Sequence, residues 1–426
     1  MSYFKIIGSQ NSCYMKHFLL FNFLICLFSF PSTAQDIWTI YNEENSSLPN
    51  NTVRVLAVDQ LNRKWVGTDF GLAVFNDTIW TVYNTQNSAL TDNLIRALYI
   101  DQQNTVWVGT MSGGLYQFDG TNWTNFTPVN SGIPDYCVRS VAVDSVGRKW
   151  IGTVEGLAMY NDTTWKVWTT FNSDLFSNNI SCIKVGRDNR ITAGTLNGGI
   201  AVTYDTTLTV YNRNNGSGIP DNTSLQIALD SAGHYWFASP AAGVYVDWGN
   251  LNWQMFNNNN SGMPVSASTC IYIDEKDRQY IGTEQNGLIK RVMPDSWSYY
   301  TTENSDLPEN AIHTVIKDNN GLLWIGTHNG GLVSLHEDVS NNEQLENSNA
   351  ELKVYPNPAA DQLFFELAVE KPEKINIFDL IGKQYEVSYI QYGNLIQLNL
   401  SGLNKGTYII ELKSQKLIQK ALFVKS

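Results

Sequence analysis

The chain has 426 residues, enough for one large core and a small second domain. Only 16% of its residues are charged, while 13 tryptophans and 21 tyrosines stand out, a balance that suits a strand-rich exported protein better than a helical cytosolic one. With 40 acidic against 28 basic side chains the net charge is −12, and such a field repels nucleic acid and sulfated polymers, so neither is expected as a partner.

Near the N-terminus, Met15-Lys16-His17 precedes an apolar run from Phe18 to Phe30 and then Pro31-Ser32-Thr33-Ala34-Gln35. A basic start, an apolar stretch and a small-x-small ending predict a secretory signal over 1–34, cleaved after Ala34. Residues 1–14 are unusual for such a signal, which makes Met15 the alternative to Met1 as the start. A membrane anchor is the competing reading, but the run is short for a span. No later segment is apolar enough to cross, so no integral membrane segment is expected in the mature chain. Cys137, Cys182 and Cys270 then remain, all in apolar strand patterns, and are expected to be buried free thiols rather than a disulfide framework.

The next 300 residues repeat. Trp65-Val66-Gly67-Thr68 recurs in variants starting at Trp107, Trp150, Thr192, Trp236, Tyr280 and Trp324, each followed by a Gly-apolar pair such as Gly71-Leu72. A period in the low forties with several strand signals per unit predicts a β-propeller. In the first unit the predicted strands are 53–59, 63–68, 71–75 and 80–83, separated by turn residues. An Asp stands six residues before the Trp position in six units (Asp59, Asp101, Asp144, Asp230, Asp274 and Asp318), and Gly186 takes its place in the fourth. Its carboxylate is expected to close an Asx-turn on backbone N–H groups. Calcium is the alternative, suggested by Asp318-Asn319-Asn320-Gly321, but a calcium loop needs more carboxylates in a longer run.

A long loop leads into each unit, with apolar anchors Leu48, Leu90, Ile133, Leu175, Ile219, Met263 and Leu307, always 17 residues before the Trp position. These anchors are expected to plug the seams between blades. A fourth-strand Trp appears at 38, 80, 123, 165, 253 and 297, with Leu208 once, and its first copy precedes the first full unit. Strand 38–42 is therefore predicted to pair with 331–335 and close a seven-bladed ring.

The pattern Asp-x5-Trp-Ile-Gly-Thr-x-x-Gly-Gly-Leu, fullest at Trp324–Leu332, resembles the two-component-regulator propeller repeat. The resemblance covers about 36–335. In that family the repeat builds periplasmic sensors of Bacteroidetes hybrid histidine kinases and also occurs in secreted proteins. The sensors carry two propellers, a span and a kinase. This chain has one propeller and neither of the others, so signalling is not implied.

Residues 336–350 are polar and acidic and read as a linker. Residues 351–426 carry about seven short alternating strands, which predicts a small β-sandwich. Within it, Val354-Tyr355-Pro356-Asn357-Pro358, then Ile377-Phe378-Asp379-Leu380-Ile381-Gly382-Lys383, then Gly406-Thr407-Tyr408, resemble the C-terminal sorting domain of type IX secretion cargo. That resemblance implies a sorting signal at Tyr355, Pro356, Asn357, Pro358, Gly382 and Gly406. It also implies the type IX machinery as a partner, and delivery through the periplasm to the outer-membrane surface or the medium. A carbohydrate-binding sandwich is the alternative, and would need an exposed aromatic platform in a segment that has no Trp.

Catalysis has little to stand on. After the signal come His234, His313, His328 and His336, in no short metal-binding spacing, and no nucleophile elbow or phosphate loop occurs. No metal or cofactor is expected. Five residues before the turn Asp, the first strands carry Arg54, Arg96 and Arg139, then Ser181, Leu225, Thr269 and His313. These positions should ring the central channel, where three consecutive arginines and His313 form a candidate site for a carboxylate or uronate. Alternatively each Arg caps loop carbonyls or pairs with an acid at a seam. The turn after Trp-x-Gly-Thr should emerge on the same face and varies most between units. Its candidate specificity residues are Asp69, Phe70, Met111, Glu155, Asn197, Glu284, Gln285, His328 and Asn329. The expected protein is a monomeric, non-catalytic binding module for a glycan, peptide or surface partner. The alternative is a polysaccharide-active hydrolase or lyase on the same scaffold.

Overall fold

The computed structural model describes residues 36–205, 207–249, 251–265, 267–292, 296–337, 354–366, 374–379, 383–392, 395–413 and 418–426. The expected signal peptide, most of the expected linker and Gly382 lie outside them. The chain divides into two compact units, each all-β.

Seven four-stranded antiparallel sheets fill the described part of the first unit. The first sheet runs Val53–Val58, Lys64–Thr68, Gly71–Phe75 and Trp80–Tyr83 in order, and the next five repeat that plan. The last sheet takes three strands from 312–336 and its fourth from Ile37–Tyr41, with Trp38 opposite Leu335 and Tyr41 opposite Leu332. The repeat pairs 38–42 with 331–335, and the strands run 37–41 and 332–336. The early strand stops at Tyr41 because the Asn42 carbonyl turns away to accept both the Ser46 N–H and its hydroxyl.

Six of the seven sheets are pinned inside by one carboxylate. Asp144 Oδ1 accepts the N–H groups of Val146 and Arg148, and Oδ2 accepts the Trp150 indole N–H at 3.0 Å. The same indole bond joins Asp59 to Trp65, Asp101 to Trp107, Asp230 to Trp236 and Asp318 to Trp324. The Asp318 oxygens, where calcium was the alternative, are taken by Asn320 N–H, Leu322 N–H and the Trp324 indole, with Lys64 Nζ 3.6 Å away. Burial alone would raise the Asp144 pKa. The indole and Arg148 outweigh it and hold the carboxyl below the usual range.

The fourth sheet loses both partners together. Thr192 replaces the indole, and Gly186 replaces the Asp where any side chain would strike the Tyr235 hydroxyl, 2.0 Å from an added Cβ. The sixth sheet, with Tyr280 in place of the indole, keeps Asp274 buried because Arg278 and Lys317 donate to it instead.

The glycine of Trp-x-Gly-Thr sets how closely sheets approach. A Cβ on Gly67 would sit 2.7 Å from Ile95 Cγ2 of the next sheet, on Gly152 2.7 Å from Ile180, and on Gly326 2.6 Å from Val53 across the closing seam. The fifth sheet has Ala238 at this position, and the residue facing that seam is the small Ser268. The loop anchors are all buried, from Leu48 to Leu307. On the rim opposite the long loops, Asn62, Asn104, Asn189 and Asp277 adopt left-handed backbone conformations. Each uses its side-chain oxygen to accept an N–H from the preceding sheet's turn, as Asn62 does from Asn319 across the closing seam.

The expected linker begins later than read from composition. His336 ends a strand, and Glu337 is held by Lys290 at 2.7 Å and by the Tyr280 hydroxyl at 2.7 Å. Hydrophilicity alone could not separate a solvated tail from a residue that neutralises a buried lysine. The three cysteines are buried and unpaired, and burial pushes the Cys182 and Cys270 thiols up to about 12.

The second unit is a sandwich of two four-stranded sheets around Leu363, Phe365, Ile377, Ile396, Leu398, Ile410 and Phe423. Its described strands number eight, two of them only two residues long. Tyr355, Pro356, Asn357 and Pro358 are exposed beside the last strand, where Asn357 Oδ1 accepts the Val424 N–H at 2.9 Å. Gly406 opens the strand Gly406–Lys413.

Gly152→Ala is expected to destabilise the propeller by about 1–3 kcal/mol through overpacking. Ala238→Gly should cost only about 0.5–1 kcal/mol of backbone entropy. Equal unfolding midpoints for Gly152→Ala and the parent would refute the seam argument. Deleting 36–44 removes the half-buried Trp38 and Tyr41, worth together on the order of 2–3 kcal/mol, and opens the ring, so the propeller's melting temperature should fall sharply.

Candidate functional site

The first strands of all seven sheets run side by side and leave a central cavity of about 610 Å³. A two-residues-against-one irregularity marks five of these strands at the residue in question, for example between Val53 and Val55 in register with Thr68 and Gly67. Such a bulge re-aims a side chain, here at Arg54, Arg96, Arg139, Ser181 and His313. All seven equivalent positions line the cavity: Arg54, Arg96, Arg139, Ser181, Leu225, Thr269 and His313.

The three arginines are not alike. Arg54 donates from Nε and Nη2 to the two oxygens of Asp69, a forked pair with the second bond at 2.6 Å. Arg96 Nε is buried without a hydrogen-bond acceptor. Burial, then the like charge of Arg54, weaken its hold on a proton; Asp69 partly offsets this, and Arg139 adds to it. Seam pairing therefore describes Arg54 and neither explains nor satisfies Arg96.

The surrounding acids are committed elsewhere. Asp92 accepts the Leu94 and Ser112 N–H groups, Asp135 accepts that of Cys137, and Glu309 accepts that of Gly330 at 2.9 Å. Among the described residues that line the cavity there is no Asp or Glu, but there is one further cation, Lys184. Burial lowers its pKa. Sequence reasoning missed Lys184 because it sits three positions beyond the arginine site, where the other first strands carry Ala, Tyr or Ile.

The turns after Trp-x-Gly-Thr do emerge beside these positions. Asp69 meets Arg54, and the His328 ring lies 5.1 Å from that of His313 in an edge-on arrangement. Met111 Sδ is 3.5 Å from Cys137 Sγ. Leu196 lines the cavity, a residue not singled out among the specificity candidates. Phe70, Glu155, Asn197, Glu284, Gln285 and Asn329 are exposed on their turns and are not among the cavity's lining residues. His313 Nδ1 is buried without a partner. Burial, then Arg54 and His328, push its pKa down to about 4, despite a bond to the Val53 carbonyl. The ring is neutral at neutral pH.

Among the described residues no helix is long and apolar enough to cross a membrane. The family model of a secretion system C-terminal sorting domain matches residues 353–425, and that of the two component regulator propeller matches 89–112 and 306–329. The chain is thus an all-β protein with regulator-type propeller repeats and a type IX sorting domain. That domain implies the secretion machinery as a partner and export to the cell surface or the extracellular space. No curated protein matches in sequence. Among solved structures, the extracellular domain of a protein described as a hybrid two component system from B. thetaiotaomicron is 20% identical, with a TM-score of 0.63 over 92% of this chain and 57% of its own. PorZ of Porphyromonas gingivalis, described as an essential bacterial surface component of the type IX secretion system, is 18% identical, with a TM-score of 0.58 over 88% of this chain and 59% of its own. A streptogramin B lyase is 12% identical, with a TM-score of 0.59 over 71% of this chain and 98% of its own. The chain spans under three fifths of the first two, and likeness at these identities speaks to fold alone.

The His313 environment has a measurable consequence. Its folded pKa lies below the 6.5 of an unperturbed histidine, so the unfolded chain binds the extra proton first. Stability is therefore full above about pH 6.5 and declines as the pH falls towards 4, by up to about 3 kcal/mol. His313→Gln should flatten the melting temperature between pH 4 and 6.5. The loss below pH 4, from carboxylates such as Asp144, should remain. An unchanged slope in the upper window would refute it.

Proposed function

We propose that the exported propeller is a binding module that holds an anionic ligand at the mouth of its central channel, on Arg54, Arg96 and Arg139. The observation that carries this reading is charge placement. An acidic protein places three guanidinium groups at a cavity whose described lining contains no carboxylate, and one of them, Arg96, has a buried Nε without an acceptor. Buried cations without partners cost stability, and a ligand carboxylate would supply the missing acceptor. The Arg54–Asp69 fork is the geometry such a group would copy on Arg96. The cavity volume lies within the usual range for small-ligand sites. The exposed, variable turns would then select among ligands, and the sorting domain would place the site outside the cell.

Removing an arginine separates the two roles. Arg96→Gln with Arg139→Gln is expected to leave the melting temperature unchanged or slightly raised, because like-charge repulsion is relieved. Arg54→Gln should lower stability by about 1–3 kcal/mol, and the melting temperature with it, because Asp69 is left unpaired. On an array of acidic and neutral glycans and peptides, the double variant should lose at least tenfold in affinity for acidic hits and show a flatter salt dependence. A double variant that is destabilised yet binds like the parent would refute the site.

A further inference from the structure

We infer that the ligand is the free C-terminus of a peptide ending in a bulky apolar residue; this rests on the anion-binding reading above. The seven mouth positions divide the ring into unlike halves. Arg54, Arg96 and Arg139 occupy three consecutive sheets, with His313 of the seventh sheet beside Arg54. The next three sheets contribute Ser181, Leu225 and Thr269, with Leu196 beside them on the fourth sheet. The two hydroxyls of that half are not free donors. Ser181 donates to the Ser224 carbonyl, and Thr269 to the Ile312 carbonyl at 2.5 Å.

A sugar ring opposite the arginines would bury several hydroxyls against Leu196 and Leu225, and each unpaired polar group would cost affinity. An apolar side chain would instead gain from that contact. The described lining also offers no carboxylate for an ammonium group, and its cations Arg96 and Lys184 would repel one. That disfavours free amino acids and internal lysines. A C-terminal carboxylate meets all of these conditions. It carries one negative charge suited to an Arg fork, its own nitrogen is an uncharged amide, and its last side chain leaves the same carbon towards the far wall.

The test uses the full chain and isothermal titration with four probes: N-acetyl-Ala-Ala-Ala-Leu with a free carboxylate, the same peptide as its C-terminal amide, N-acetyl-Ala-Ala-Ala-Ser with a free carboxylate, and a tetra-galacturonate. The Leu-terminated acid should bind at least tenfold tighter than its amide and at least fivefold tighter than the Ser-terminated acid. Arg96→Gln with Arg139→Gln should remove the preference for acid over amide. Leu225→Asn should remove the preference for Leu over Ser while keeping that for acid over amide. If tetra-galacturonate binds, loses affinity in the arginine variant, and no peptide acid binds, the peptide assignment falls and the anion site stands. If no acidic probe binds, or binding ignores the arginine substitutions in variants that melt like the parent, both fall.

Discussion

A buried aspartate that accepts an indole N–H holds this propeller together. Asp144 shows the arrangement, with backbone N–H groups on one oxygen and the Trp150 indole on the other. The bond ties the turn between the first two strands to the large side chain that fills the sheet, so turn and core cannot form separately. A charge-assisted bond of this kind contributes about 1.5–3 kcal/mol where buried, and the ring uses it five times among the described residues. The fourth sheet drops both members, as Gly186 and Thr192, while the sixth keeps Asp274 with Tyr280 in place of the indole and satisfies it with Arg278 and Lys317.

Close approach of the sheets follows from the glycine two residues after the tryptophan. Ile95, Val138, Ile180, Ile312 and Val53 occupy the space its side chain would need. Tight seams bring seven first strands into contact around one axis, and they leave a cavity rather than a filled core. The strand irregularity at Arg54, Arg96, Arg139, Ser181 and His313 then turns those side chains to the mouth. The site is thus a product of the same packing that stabilises the fold. Its electrostatics run against the rest of the molecule: the protein is acidic, yet the neighbouring acids Asp92, Asp135 and Glu309 are bound to backbone N–H groups and leave the cavity cationic.

The repeat made most of the architecture readable in advance. A fixed interval from Leu48 or Leu90 to the Trp position means a fixed backbone path, and those anchors are buried. The lone Trp38 strand implied ring closure because an unpaired edge strand needs a partner, and it pairs with 332–336. The ends of elements were less legible. Glu337 reads as part of a polar tail, but it is paired with Lys290 in the preceding sheet.

Residue identity and spacing were sufficient for the strands, the turn aspartates, the convergence of Arg54, Arg96 and Arg139, and the sorting domain, because each depends on local pattern or on exact repetition. Ionic partnership was not readable. Arg54 and Arg96 occupy equivalent positions with the same chemistry, yet one is paired by Asp69 and the other has a buried Nε without an acceptor. That difference arises because Asp69 stands on one turn and Met111 on its counterpart, and because folding brings each turn against its own first strand. Lys184 joined the cavity for the same reason: only closure of the ring puts a residue three positions along one strand into a space shared by seven.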